Sequence, residues 1–147
     1  VKDATGGVSG IIFQFPLYAG IMGIVRYSGL VDVMSQAIVA FSSEYMFYFW
    51  TFIMASTVNL FVPSGGGQWV VQGPIAMKSA ELMHASYIKT ALAVAYGNTW
   101  TNMLQPFWAI ALLGITGLKA RDVIGYATAV MILSFVVFAL PLLFLPA

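Results

Sequence analysis

Pro63-Ser64-Gly65-Gly66-Gly67-Gln68 stands near the middle of an uncharged run from Tyr45 to Met77. A run of that length without charge belongs in lipid. Three successive glycines disfavour a helix, each costing about 1 kcal/mol against alanine. Backbone that leaves the helix at membrane depth survives only against protein or water, which satisfy its amides and carbonyls. The next apolar segment is interrupted too, at Tyr96-Gly97-Asn98-Thr99-Trp100-Thr101-Asn102. The expectation is that the chain stops being helical at both places. The two breaks would then face each other and form half of a solute site.

Composition agrees with a membrane chain. Hydrophobic residues make up 61% of the 147 and charged residues 7%, against roughly 25% charged in an ordinary soluble domain. Mean hydropathy is +0.91. A net charge of +1 and the lack of a basic stripe argue against nucleic acid as a partner. The absence of cysteine excludes disulfides, thiolate metal sites and cysteine nucleophiles. The chain opens Val-Lys-Asp without an initiator methionine, so a fragment of a longer protein is expected.

Outward from the glycines, the segments differ in kind. On the N-terminal side, Ala4 to Val25 is uncharged and long enough to cross about 30 Å of hydrocarbon. Gly6 and Gly10 there suit close helix approach, and Pro16 would kink it. Leu30 to Tyr45 places Leu30, Val33, Met34, Ala37, Ile38 and Phe41 on one face and Asp32, Ser35, Gln36 and Ser42 on the other. That pattern predicts an amphipathic helix in the interface, with a polar-lined spanning helix as the alternative. Met46 to Val62 is apolar, with Tyr45, Tyr48 and Trp50 as interfacial anchors. The return from Trp69 to Met77 has only nine residues before Lys78, with Gly73-Pro74 inside it. Nine residues reach about 14 Å, half a crossing. A re-entrant hairpin over about 46–77 explains that length.

Beyond the hairpin, Ser79 is the expected N-cap of the next helix, with Glu81 in its first turn. Thr90 to Leu118 is uncharged and should break near Asn102, where Pro106 clashes with the carbonyl four residues back. A broken helix over about 79–118 results. A charged turn at Lys119, Arg121 and Asp122 precedes a last span, 123–146. The positive-inside tendency places that turn in the cytoplasm and the hairpin mouth outside. The fold class expected is an all-α integral membrane protein: transmembrane helices with a re-entrant hairpin and a discontinuous helix, one transport unit over 1–147.

The residues offer little to an enzyme. All five acids fall at segment ends or in connections, and the single histidine, His84, has no ligand set around it. No nucleophile–base pair, metal set or cofactor motif is visible. The two breaks instead supply neutral donors, acceptors and helix ends, the inventory of cation-coupled carriers. Ser64, Gly65, Gly66, Gly67, Gln68, Gly97, Asn98, Thr99, Thr101 and Asn102 are the candidate substrate- and ion-binding residues. Without a buried acid, Na+ is favoured over protons as the coupling ion. A kinked helix pair whose polar groups only satisfy each other is the structural alternative.

At these residues the chain resembles a known family. Asn59-Leu-Phe-Val-Pro-Ser-Gly-Gly-Gly-Gln-Trp69, then Gln72-Gly73-Pro74, and Tyr96-Gly-Asn-Thr-Trp-Thr-Asn-Met-Leu-Gln-Pro106 are similar to bacterial short-chain fatty acid transporters. C4-dicarboxylate carriers show a related pattern, so the chain resembles the ion-transporter superfamily with its two inverted repeats. The resemblance implies the C-terminal half of an inverted-repeat symporter in the bacterial inner membrane, multi-pass and open to homodimerisation. Its substrate would be a short monocarboxylate such as acetoacetate or butyrate, with C4-dicarboxylates the runner-up and a missing N-terminal half completing the site. Trp69 and Trp100 would suit a short apolar tail. A non-transporting scaffold subunit is the rival from another class.

Overall fold

A computed structural model describes residues 16–146 apart from 18, 22, 25, 26, 63, 106–112, 114 and 115. Among the described residues the regular structure is all helix: α1 (Leu30–Phe41), α2 (Phe47–Phe61), α3 (Gly65–Leu82), α4 (Tyr87–Asn102) and α5 (Ala120–Phe144). The expected first span, Ala4 to Val25, falls largely outside them. So does most of the second half of the expected broken helix.

Only α5 among the described helices is long and apolar enough to cross a membrane. At 25 residues it extends about 37 Å. Asp122 starts it by accepting from the Lys119 amide at 3.0 Å, a negative charge at the positive end of the helix. α5 runs antiparallel to α4. Lys89 donates to the Leu145 carbonyl, Tyr96 packs on Phe138 at 5.3 Å and Trp100 on Phe135 at 5.1 Å. Trp100 Nε1 also donates to the Met131 carbonyl at 2.7 Å.

The core lies where α2 meets α4. Phe47, Phe52, Ala55, Ala93 and Val94 are buried there, with Ile75 and Ala80 of α3 closing it. α1 packs on α3 rather than lying free. Ser35 Oγ donates to the Ile75 carbonyl at 3.2 Å, and Ser79 Oγ approaches the Ser35 carbonyl at 3.5 Å. Small residues bring the two backbones close. α1 therefore buries Ser35 from its polar side, while Val33 and Phe41 remain exposed.

Three expectations need correction. First, the chain does leave the helix where α2 ends at Phe61, but the glycines are not the break; they begin α3 at Gly65. Ser64 caps α3, its Oγ accepting from the Gly67 amide at 3.3 Å. First-turn amides lack intrahelical partners in any residue, so glycine sacrifices few backbone bonds there. Second, the return limb is not nine residues. α3 has 18 residues and passes through Pro74 to Leu82, about 27 Å. Proline disfavours helix in the preceding residue partly through that residue's Cβ, and Gly73 has none. Ser79 thus lies inside α3, and the next helix is capped by Ser86, whose Oγ accepts from the Lys89 amide at 3.4 Å. Third, Tyr96 to Asn102 is helical throughout. α4 ends at Asn102 and three residues of turn follow before Pro106. Gly97 has a different purpose.

Candidate functional site

Gly97 sits in the crossing of α4 with α2. A Cβ built there would lie 2.5 Å from the Phe52 carbonyl oxygen, 2.6 Å from the Ala55 Cβ and 2.8 Å from the Ser56 amide nitrogen. Only glycine admits this approach. It lets the next residues of α4 reach the polar groups of α2 and α3.

Asn98 is the hub of that meeting. Its Nδ2 donates to Asn59 Oδ1 at 2.8 Å and to Gln68 Oε1 at 2.6 Å. Gln68, fully buried, donates from Nε2 to the Ala55 carbonyl at 2.7 Å and to Gln72 Oε1 at 2.8 Å. Asn59, also fully buried, returns Nδ2 to the Asn98 carbonyl and to Thr101 Oγ1, both at 3.1 Å. The Thr101 hydroxyl faces the Ser56 and Gly97 carbonyls, each at 3.0 Å. Gln105 finishes the edge, its Nε2 donating to the Leu60 carbonyl at 3.1 Å in the last turn of α2. The two sequence motifs therefore do meet, through side-chain amides.

Donor accounting divides the candidates. A primary amide has two N–H groups, and those of Asn59, Gln68 and Asn98 are all committed within the cluster. Gln68 and Thr101 are braces, and Gly97 is the clearance that admits them. What stays open is the margin. Gly65 and Gly66 are exposed, Gly67 and Ser64 half-exposed. Asn98 Oδ1 would lie 3.6 Å from a Cβ at Gly65, so this acceptor stands beside the first turn of α3. The amides of Gly65 and Gly66 point from the positive end of that helix. Thr99 is exposed and Asn102 half-buried.

Sequence reasoning missed Asn59, Gln72, Ser56 and Gln105 as members of the cluster. Asn59 and Gln72 were legible as polar residues in an apolar run. The two tryptophans separate. Trp100 packs between Phe52 and Phe135 and holds Met131, turned to α5 and away from the glycines. Trp69 stays half-exposed on α3 and lies flat over Gly73, where a Cβ would meet the indole at 3.0 Å. Among the described residues no group of histidine and acidic side chains could hold a metal ion.

The profile of the family described as "Short chain fatty acid transporter" matches residues 1–145. A Haemophilus influenzae protein named "Putative short-chain fatty acid transporter" is 39% identical over 145 residues, 99% of this chain and 32% of the relative. An Escherichia coli K12 protein of the same name is 39% identical over 142 residues, 97% of this chain and 32% of the relative. The chain thus spans about a third of the length of these curated relatives. No solved structure matches. With a profile covering almost all of its residues, this chain belongs to the short-chain fatty acid transporter family.

Proposed function

We propose that the chain is the C-terminal transport unit of a cation-coupled carrier for short-chain carboxylates, acetoacetate- or butyrate-like, in a bacterial inner membrane. α2 and α3 form a re-entrant hairpin in this reading, and its glycine tip receives the solute. One observation carries it: the first turn of α3 is set against Asn98 at a level well inside the last span. Asn98 lies between Tyr96 and Trp100, whose ring partners are Phe138 and Phe135. Those residues stand six to nine positions before the end of α5 at Phe144, about 9–14 Å of rise. If α5 crosses the bilayer, the tip is submerged.

A helix N-terminus at that depth attracts an anion, having open amides and a partial positive charge of about one half. The solute carboxylate would take the Gly65 and Gly66 amides. Asn98 Oδ1 and the α2 carbonyl end face the same margin and suit a cation, with Na+ favoured because the cluster contains no acid. The amide brace behind the margin keeps α3 and α4 together, so the hairpin would move with α4 as one body. The complementary half of the site belongs to the part of the carrier outside this chain.

Uptake of labelled butyrate or acetoacetate into vesicles holding the complete carrier tests this. A Na+ gradient should drive uptake and a pH gradient alone should not. Gly66→Leu is the sharpest variant, because a Cβ at Gly66 meets nothing within 4 Å. The leucine fits the fold and fills the solute's place, so uptake should vanish while the protein still purifies folded. Normal uptake by Gly66→Leu would leave the tip without a role in transport, and a wild type that takes up neither solute would favour the scaffold.

A further inference from the structure

A second site lies at the opposite end of the helices, at the mouth of the hairpin. There the α1–α2 turn, the α3–α4 turn and the end of α5 line an open cavity of about 570 Å³. Its polar lining is Glu44, His84, Ser86 and Lys89, beside the rings of Tyr45 and Tyr48. Lys89 is held in place. Its amine lies 4.5 Å from the centroid of the Tyr48 ring and donates to the Leu145 carbonyl at the negative end of α5. The Tyr48 hydroxyl is fixed in turn, accepting from the Ser86 amide at 2.9 Å. Among the described residues the ion pairs are Lys78 with Glu81 and Arg121 with Asp122. Lys89 has no carboxylate partner in either.

A smaller hollow of about 210 Å³ shares Ser86, Lys89 and Leu145 with that cavity. It continues between α4 and α5, over Ile88, Leu92 and Tyr96 on one side and Pro141 on the other. Polar cavity and apolar groove therefore adjoin, and at their junction stands a fixed cation. The junction lies level with the C-terminal end of the one described helix able to cross lipid. If α5 crosses the bilayer, that is headgroup depth, where a basic pocket between membrane helices takes a lipid phosphate.

We propose that this is a phospholipid site. Lys89 binds the phosphate, and one acyl chain descends over Ile88, Leu92 and Tyr96. Glu44, in the same cavity, faces the ammonium of an ethanolamine headgroup, which makes phosphatidylethanolamine the preferred lipid.

Native mass spectrometry of the complete carrier in detergent, titrated with phosphatidylethanolamine or phosphatidylglycerol, tests it. The wild type should retain phosphatidylethanolamine in preference. Leu92→Trp, which fills the groove, and Lys89→Gln should each weaken retention by roughly tenfold. Lys89→Arg should restore it, because a guanidinium supplies the same positive charge to the phosphate. Glu44→Gln should abolish the preference over phosphatidylglycerol. Excess inorganic phosphate should leave the bound lipid in place. A wild type that retains no lipid would mean that protein fills the cavity, and the proposal falls. It falls equally if Leu92→Trp binds as the wild type does, or if inorganic phosphate displaces the lipid and so identifies a free-anion site.

Discussion

The α2–α4 seam and the α4–α5 contact are both interfaces of one helix, α4, and they are built on opposite principles. In the seam, Gly97 brings backbones into touch, and a closed set of amides from Asn59, Gln68 and Asn98 ties three helices. Against α5 the contact is a layer of rings, Tyr96 on Phe138 and Trp100 on Phe135, with hydrogen bonds from Trp100 to Met131 and from Lys89 to Leu145 at the helix end. Only 11% of the apolar window of α5 is buried. In lipid, apolar surface gains little by meeting apolar surface, so close packing and hydrogen bonds must hold helices together. The seam uses both, and the α5 contact uses them sparingly. The body that carries the tip should therefore be rigid, and α5 should be the looser partner.

The strongest way to break this contrast is at the two glycines. Gly97→Ala should cost about 3 kcal/mol, because the obstructing atoms are backbone and cannot step aside. Gly125→Ala in α5 meets nothing within 4 Å and should leave stability unchanged or slightly improved. Unfolding midpoints of the complete carrier in detergent compare the two. Equal effects would dissolve the distinction between the regions.

Gln68→Leu comes next. It takes from Asn98 Nδ2 one of its two acceptors and removes the bonds to Gln72 Oε1 and the Ala55 carbonyl, a loss of about 2 kcal/mol in the same measurement. A smaller effect would mean that water enters the tip and replaces the amide. Trp100→Phe keeps the ring layer but loses the bond to Met131, and should cost about 0.6 kcal/mol, the usual worth of such a bond in a membrane bundle. Val137→Ala, at a side chain 68% exposed on α5, should fall within about 0.5 kcal/mol of the wild type. A large loss there would show that α5 packs on protein outside the described residues.

The residues by themselves announced a membrane chain, the uncharged last span and the two polar-glycine segments, because hydrophobicity and charge act residue by residue. They also located the end of α4 near Asn102, four residues ahead of Pro106. They misjudged what the glycines do. Backbone propensity disfavours Gly65 to Gly67 and Gly97 in a helix. Yet the first three begin a helix capped by Ser64, and Gly97 remains inside one because a neighbouring helix occupies the space of its missing side chain. The cost of a glycine can be read from one chain segment; its benefit depends on what lies opposite. The same holds for the amides. Gln68 and Thr101 read equally well as ligands or as braces, and only their partners on α2, 13 and 45 residues distant along the chain, assign them to the brace. Which polar groups remain open to a solute is what is left after those bonds are made, so it was decided by the packing of three helices and by nothing shorter-ranged.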